Sequence, residues 1–243
     1  MESYNLCIIK PNKTAFSETF IQQHINRLEG NKKVLYGGAF PVYDDKGKFL
    51  IRSRIGLLNY LIQKRFLKRK DIKVRTKALV NYFKRERIDV VLAEYGMVGA
   101  MVSNACEIAK VPLIIHFHGA DVHERQTVAE YLDFYKRAFT YSSGIIAVSL
   151  DMVEELVRLG ANRNKVHFIP CGVDTEQFSP IMLNTAENNF FSIGRFVDKK
   201  APLSVIQAFR KLLQEVPNAH LWMVGDGPLF TSAGKLILDL NLS

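Results

Sequence analysis

The chain has 243 residues, 48% of them apolar and 23% charged, and this balance excludes a disordered or collagen-like protein. Its 33 basic residues exceed its 24 acidic ones, and the formal net charge of +9 favours anionic partners such as phosphorylated molecules, nucleic acid or an acidic membrane. Three widely spaced cysteines, and no apolar stretch long enough for a bilayer span, predict a reduced, soluble, cytosolic protein that at most lies on a membrane.

Short apolar segments alternate with longer amphipathic ones, which is typical of an α/β protein with a mainly parallel sheet. Strands are predicted at 6–9, 33–36, 90–93, 113–117, 145–148, 166–169, 190–193 and 221–224, and helices near 18–29, 55–69, 74–86, 97–109, 124–140, 150–159, 202–215 and 229–240. A polar segment at 179–189 separates two such series. We therefore predict a complete doubly wound domain over 1–183 and the first part of a second domain over 184–243.

The strand at 113–117 leads directly into His118, Gly119 and Asp121. Ligands of parallel sheets bind at the carboxyl ends of strands, so His118 and Asp121 are candidates for binding sugar hydroxyls or transferring protons. A strand-end histidine that only stabilises the fold is an equally good interpretation. A metallohydrolase using His116, His118 and Asp121 is another alternative, although the spacing H-x-H-x-x-D-x-H departs from the H-x-H-x-D-H pattern of binuclear hydrolases. The other histidines, among them His24, indicate no second ligand cluster, so no metal is expected.

Two further candidate segments follow predicted strands in the second series. Gly194 and Arg195 end the first of these strands, and Lys200 precedes the next helix. Their guanidinium and ammonium groups suit the oxygens of a diphosphate. The tight turn Gly225-Asp226-Gly227 follows the second strand and lets the backbone approach a ligand. Each segment alone could equally be a solvated loop or an ordinary turn.

The excess positive charge is concentrated in residues 52–87, which hold thirteen Lys or Arg against two acidic residues and leave 20 basic and 22 acidic residues elsewhere. Leu and Ile recur at helical spacing in the same segment. We therefore predict an amphipathic helix on anionic lipid, with Lys64, Arg65, Lys68 and Arg69 facing the membrane. A solvated face and a nucleic-acid contact are the alternatives, but no recognised nucleic-acid motif is present.

Five stretches, in this order, together resemble the retaining glycosyltransferases of family 4, the group 1 transferases with a GT-B fold: FHGADVHE, VSLDMVEEL, KVHFIPCGVDTEQFSP, SIGRFVDKKAPLSVIQAF and WMVGDGPL. The N-terminal NLCIIKPNKTAFSETFIQQHINRL is similar to the exopolysaccharide-type branch of that family. The resemblance implies two Rossmann-like domains facing a cleft. The N-terminal domain would take the acceptor and the C-terminal domain the nucleotide sugar, without a bound metal.

The resemblance also assigns roles to individual residues. His118 would lie beside the donor sugar, with Gly119 and Asp121 in the same motif. Arg195 and Lys200 would bind the donor diphosphate, where their positive charge stabilises the departing group. The turn at 225–227 would be the glycine turn of the donor domain, and Ser17 and Glu18 would lie near the donor phosphates and the acceptor.

The sequence departs from the family pattern at two places. Ala201 stands where the family usually has glycine. The family's two glutamates, eight positions apart in the later donor domain, are absent, since Glu86 and Glu94 have that spacing but belong to the first domain. These departures predict that the donor domain is incomplete and that the 243 residues alone are inactive.

The implied function is hexosyl transfer from a nucleotide-diphosphate sugar to a saccharide or lipid-linked acceptor, with retention of configuration, in surface polysaccharide synthesis. The resemblance implies no cofactor and no nucleic-acid partner. It places the enzyme in the cytoplasm or on the inner face of the cell membrane. The alternative from another class is a non-catalytic Rossmann-like module that docks on membrane or nucleic acid through its basic helices.

Overall fold

The computed structural model describes residues 4–14, 18–65, 72–179 and 188–242. The chain divides into two compact units, Met1–Val173 and Asp174–Ser243. The change from one unit to the other therefore comes earlier along the chain than the position 183/184 expected from the polar segment.

The first unit contains a seven-stranded sheet with the order β3-β2-β1-β4-β5-β6-β7. The strands are β1 Asn5–Lys10, β2 Asn31–Tyr36, β3 Tyr43–Asp44, β4 Val90–Glu94, β5 Leu113–Phe117, β6 Gly144–Ala147 and β7 Val166–Phe168. All neighbouring pairs are parallel except β2 and β3. The α/β fold class with a parallel sheet is confirmed.

Seven α-helices of the first unit lie within the described residues. They are α1 Thr19–Arg27, α2 Arg54–Arg65, α3 Lys73–Arg85, α4 Gly96–Ala109, α5 Ala120–His123, α6 Arg125–Tyr141 and α7 Leu150–Arg158. The sequence predicted one helix near 124–140, whereas the structure has a further short helix, α5, just before it. Glu124 separates the two, because its extended backbone interrupts the helical hydrogen bonding.

The start of α7 follows directly from the sequence. The hydroxyl of Ser149 accepts a hydrogen bond from the backbone N–H of Met152 at 3.1 Å, and Asp151 lies in the first turn. The hydrogen bond pairs a backbone N–H that has no partner within the helix, and the negative charge of Asp151 interacts favourably with the positive end of the helix dipole. The start of α1 is different, because this helix begins at Thr19 and the Glu18 carboxylate therefore precedes its first turn. Ser17 lies outside the described residues.

Close packing of α4 against the sheet brings the ends of β4 and β5 together. A Cβ atom added to Gly96 would lie 2.0 Å from the ring of Phe117, so only glycine allows α4 to begin at this point. Both strands are buried among apolar side chains at their centres. Polar side chains at their carboxyl ends are therefore held on a rigid support.

The second unit contains two parallel strands, β8 Asn189–Ile193 and β9 His220–Val224, with helices α8 Pro202–Leu212 and α9 Phe230–Asp239. The helices share a small core with Phe196. Four large apolar side chains of the strands are between 55% and 79% exposed, namely Phe191, Ile193, Trp222 and Val224. They alternate with less exposed residues along both strands, so one face of this sheet is uncovered within the described part of the chain.

Two expectations from composition can be compared with the structure. Cys7, Cys106 and Cys171 are all free thiols, the first two of them buried. Across the described ranges, no helix combines the length and apolar character required to cross a bilayer.

Candidate functional site

A buried carboxylate at the carboxyl end of β4 forms the centre of the site in the first unit. Glu94 is 0% exposed, and its Oε1 lies 2.7 Å from Nδ1 of His24 on α1. Its Oε2 lies 2.9 Å from Nε2 of His118, which follows β5. His116 pairs with Glu94 in the sheet, and its Nδ1 lies 3.3 Å from the same Oε2. Three imidazole rings thus surround one carboxylate.

The charge states in this cluster follow from burial and from these contacts. Burial alone would raise the pKa of Glu94, but contacts with His116, His118 and His24 outweigh it and hold the pKa well below its usual range. Burial lowers the pKa of His116, which therefore favours the neutral ring. Neither ring nitrogen of His116 has a hydrogen-bonding partner among the described residues, because its 3.3 Å contact is an ion-pair distance without hydrogen-bond alignment.

Aromatic rings enclose His118. Its ring centroid lies 4.2 Å from that of Phe20, 4.0 Å from that of His116 and 4.9 Å from that of Tyr95. The His118 side chain is only 6% exposed. The structure therefore places His118 at the carboxyl edge of the sheet but leaves only a small part of its ring accessible.

Asp121 is fully buried and binds the backbone rather than facing solvent. Its carboxylate accepts hydrogen bonds from the N–H groups of His118 at 3.0 Å, Gly119 at 2.9 Å and Gly96 at 2.7 Å. These three donors belong to the end of β5 and the start of α4. The catalytic role predicted for Asp121 disagrees with this geometry, because its oxygens have no exposed surface to offer a substrate. The contacts favour a positioning role.

Tyr95 connects Glu18 to the cluster. Its hydroxyl donates to Oε1 of Glu18 at 3.3 Å, and Asn12 Nδ2 donates to the same oxygen at 2.8 Å. Burial is the main cause that raises the pKa of the Tyr95 phenol, and the negative charge of Glu18 raises it further. Tyr95 also has a φ of +78°, a strained conformation for this residue type, and its N–H donates to the carbonyl oxygen of His116 at 2.8 Å. Glu18 thus belongs to the same edge of the sheet as His118.

A metal ion is the alternative use for such a cluster. Within the described ranges, only His24, Glu94 and His116 form a group of at least three possible ligands, and this group contains neither His118 nor Asp121. The metallohydrolase set proposed from the sequence is therefore not assembled. A tetrahedral zinc ion with bonds of about 2.0–2.1 Å keeps its ligand atoms roughly 3.3 Å apart. The 2.7 Å separation of His24 and Glu94 is shorter and is that of a hydrogen bond.

The candidate donor residues of the second unit lie on two interlocked loops. The Gly194 N–H donates to the carbonyl oxygen of Val224, and the Phe196 N–H donates to that of Asp226 at 2.8 Å. A Cβ atom on Gly225 would lie 1.9 Å from the carbonyl oxygen of Gly194, so glycine is required there. Gly227 approaches Phe196 almost as closely, at 2.6 Å from its carbonyl oxygen. The predicted glycine turn therefore supports the loop that carries Arg195.

Arg195 and Lys200 are exposed and form no ion pair within the described part of the chain. Lys200 ends a short 3₁₀ turn that begins at Asp198. Ala201 follows with φ +48° and ψ +47°, and α8 begins at Pro202. Two cations and the start of a helix are thus available to an anion on this unit.

The basic stretch coincides with an exposed apolar helix face. The side chains of Ile55, Leu58, Leu61 and Ile62 on α2 are between 43% and 82% exposed. At 100° per residue they share one sector of about 120° with Arg54 and Arg65, and Lys64 flanks it. Lys68 and Arg69, the other predicted membrane-facing residues, lie outside the described residues.

Sequence reasoning missed Glu94 and His24. Glu94 was noted only for its spacing from Glu86, and His24 was set aside as an isolated histidine. The available signal was a charged residue at the end of an apolar strand. The neighbouring strand of the sheet carries His116 near its end and is followed by His118. The contact with His24 joins residues 70 positions apart and requires knowledge of the fold.

Comparisons with known proteins agree with this architecture. Residues 44–177 match the family described as Glycosyltransferase Family 4, and residues 173–243 match Glycosyl transferases group 1. The chain is 24% identical over 158 residues to the amylovoran biosynthesis glycosyltransferase AmsK of Erwinia amylovora, covering 63% of this chain and 39% of that protein. It is also 24% identical over 186 residues to an Escherichia coli UDP-Gal:alpha-D-GlcNAc-diphosphoundecaprenol alpha-1,3-galactosyltransferase, covering 68% of this chain and 48% of that protein.

The fold matches that of HepE from Anabaena, solved in complex with UDP-glucose, with a TM-score of 0.68 and 15% identity over 98% of this chain and 66% of that one. The chain spans less than half the length of four curated relatives, between 36% and 48%. The family match covers more than half of the chain, and the solved neighbour shares its fold. The chain therefore belongs to glycosyltransferase family 4, the group 1 transferases with the GT-B fold.

Proposed function

We propose that the full-length protein transfers a hexose from a nucleotide-diphosphate sugar to a saccharide or lipid-linked acceptor, with retention of configuration, during surface polysaccharide synthesis. The observation that carries this proposal is the position of His118 at the carboxyl edge of the sheet, within a family of sugar transferases. The activities named for two relatives support it. One acts in amylovoran biosynthesis, and the other uses UDP-Gal and a diphosphoundecaprenol-linked acceptor.

Each unit contributes its own groups to this reaction. The accessible part of the His118 ring, together with the backbone at Gly119, contacts the donor sugar. Glu18 accepts hydrogen bonds from acceptor hydroxyls beside it. In the second unit, Arg195 and Lys200 bind the diphosphate and stabilise the charge that develops on it as the glycosidic bond breaks. The reaction uses no metal, because positive side chains supply that charge.

Substitution of His118 tests the proposal. In the full-length protein, His118→Ala should reduce sugar transfer by a factor on the order of 100, as expected when one polar group acting on the transition state is lost. A panel of nucleotide sugars with a saccharide or lipid-linked acceptor provides the assay. His123→Ala is the matched control, because His123 lies nearby on α5 but is exposed. Transfer by His118→Ala at the wild-type rate would overturn the role of His118.

We also infer that the 243 residues alone bind the donor more weakly than about 1 mM. The support is the second unit, in which two strands present an uncovered apolar face. Calorimetry with nucleotide sugars measures this affinity directly, and micromolar binding would contradict the inference.

Membrane docking is the second proposal, and the exposed face of α2 supports it. An apolar sector that carries Arg54 and Arg65 fits the boundary between lipid headgroups and acyl chains. A peripheral position on an anionic membrane would bring the enzyme to lipid-linked acceptors. Binding to nucleic acid is the competing proposal, but it depends mainly on contacts with phosphates and would not bury the Ile and Leu side chains of this face.

A further inference from the structure

We propose that Glu94 is a positioning residue of the transfer site, which fixes the imidazole proton of His118 on Nε2 and leaves Nδ1 as a hydrogen-bond acceptor. This inference rests on the proposed function, in which His118 lies beside the donor sugar. Glu94 itself is fully buried and acts only through the histidines around it.

The protonated nitrogen of each ring follows from its contact with the carboxylate. An ionised carboxylate only accepts hydrogen bonds, so any nitrogen bonded to it carries the hydrogen. The 2.9 Å contact therefore places a proton on Nε2 of His118, and the 2.7 Å contact places one on Nδ1 of His24. A neutral imidazole has one such proton, so the other nitrogen of each ring is an acceptor. One carboxylate thus holds two histidines in opposite tautomers.

The ionised form of Glu94 is the stable one near neutral pH, since the surrounding imidazoles lower the pKa of its carboxyl. His116 adds a third ring to the same oxygen pair without forming an aligned hydrogen bond. Within the described part of the chain, the titratable groups in contact with this carboxylate are these three histidines. The carboxylate is therefore available as an acceptor for both His24 and His118.

The orientation of the His118 ring is fixed as well. Phe20, Tyr95 and His116 enclose the ring with centroid distances of 4.0 to 4.9 Å. Rotation of the ring by half a turn would put a carbon atom, rather than Nε2, against Oε2 of the carboxylate and would remove one of the two hydrogen bonds to this buried charge. The only nitrogen free to accept a hydrogen bond from a sugar hydroxyl is then Nδ1.

The tautomers can be measured without any mutation. In the full chain labelled with ¹⁵N-histidine, two-bond and three-bond ¹H–¹⁵N correlations near neutral pH identify the protonated nitrogen of each ring. We expect Nε2–H for His118 and Nδ1–H for His24. A His118 ring protonated on Nδ1, or one that samples both tautomers, would overturn the proposal.

Glu94→Gln tests the consequence for transfer, because the amide keeps the size but both donates and accepts. We expect a mixture of His118 tautomers and a turnover lower by a factor on the order of 10 to 100, with the donor KM within about threefold of the wild-type value. Glu86→Gln is the matched control. Glu86 is ion-paired with Lys33 and Arg85 away from this cluster, so its replacement should change neither readout.

A second variant separates positioning from general loss of packing. His24→Gln leaves the bond between Glu94 and His118 in place and should preserve the His118 tautomer. An unchanged tautomer in Glu94→Gln, or a changed tautomer with wild-type transfer, would overturn the positioning role. Absence of transfer by the wild-type protein with every donor would instead count against the proposed function, while the NMR result would still decide what Glu94 does to His118.

Discussion

At the scale of single residues, two buried carboxylates lie close to one strand end and serve different groups. Asp121 accepts hydrogen bonds from three backbone N–H groups, whereas Glu94 accepts from imidazole side chains. The first joins the end of β5 to the start of α4, and the second determines the state of a side chain. Both are acids in the same region, and their different hydrogen-bond partners distinguish them.

Asp121→Asn should lower the free energy of unfolding by at least about 2 kcal/mol, because the amide group turns an N–H towards backbone N–H donors that then lack an acceptor. Urea unfolding followed by circular dichroism measures the change. Asp133→Asn is the control, since Asp133 is exposed on α6 and should alter the value by less than about 0.5 kcal/mol. A stable Asp121→Asn protein that has lost sugar transfer would restore the catalytic assignment.

At the scale of secondary-structure elements, the start of α8 contains an avoidable strain. Ala201 adopts a left-handed conformation at the position where the family usually has glycine. A Cβ atom in that conformation costs roughly 1–2 kcal/mol, and glycine avoids this cost at the expense of greater freedom in the unfolded chain. The departure from the family pattern at Ala201 should therefore have a measurable effect on stability.

Ala201→Gly should therefore stabilise the second unit by about 0.5 kcal/mol or more. The same change in the middle of α8, Ala208→Gly, should destabilise it by about 0.5–1 kcal/mol, because Ala208 is exposed and helical. Thermal unfolding of both variants gives the comparison. Equal effects of the same sign would show that Ala201 is not strained in solution.

A second prediction at this scale concerns the binding of α2 to anionic vesicles. Lys64→Gln with Arg65→Gln should weaken binding to anionic vesicles by about ten- to thirtyfold, since each cation contributes about 1 kcal/mol at low salt. Ile55→Ser with Leu58→Ser should weaken it also at high salt, because those side chains enter the lipid. Arg210→Gln with Lys211→Gln on α8 is the control for charge alone. Co-sedimentation measures all three, and equal binding to neutral vesicles would contradict an electrostatic dock.

The elements themselves could be predicted because each depends on local patterns. The β5 strand was predicted at its observed bounds, and α7 was predicted near its observed start at Leu150. The partners of Glu94 could not be predicted, since they come from α1 and β5 and meet only when the parallel strands are in register. The short β3 strand was missed because its two residues carry no periodic signal.

At the scale of the whole molecule, the titrating cluster makes the first unit sensitive to acid. Burial holds the pKa of His116 below its ordinary 6.5, so the unfolded chain takes up this proton first and stability declines as the pH falls below that value. The pKa of Glu94 is held below its ordinary 4.5, so the stabilisation from its ionised form is present above that value and is lost further down. Both groups act in the same direction.

We therefore expect the first unit to lose stability progressively from about pH 6.5 downwards and more steeply below about pH 4.5. Trp222 is the only tryptophan of the chain and lies in the second unit, so its fluorescence reports that unit separately. As the pH is lowered, the unfolding midpoint followed by far-ultraviolet circular dichroism should fall faster than the unfolding midpoint followed by Trp222 fluorescence. Glu94→Gln should remove the steep part below pH 4.5. Parallel shifts of both signals would mean that acid acts on the chain as a whole.

The strand order also determines when the first unit can form during synthesis. β1 lies in the middle of the sheet, and one of its neighbours, β4, follows so late that the contact between Asn5 and Asp89 spans 84 positions. At about 5–20 residues per second, a ribosome needs roughly 4 to 17 s to complete that interval. During this time β1 has only β2 beside it, and the unpaired backbone groups along its other edge stay open to chaperones or to other nascent chains. The strand at the centre of the finished sheet is therefore exposed for much of the time while the chain is being made.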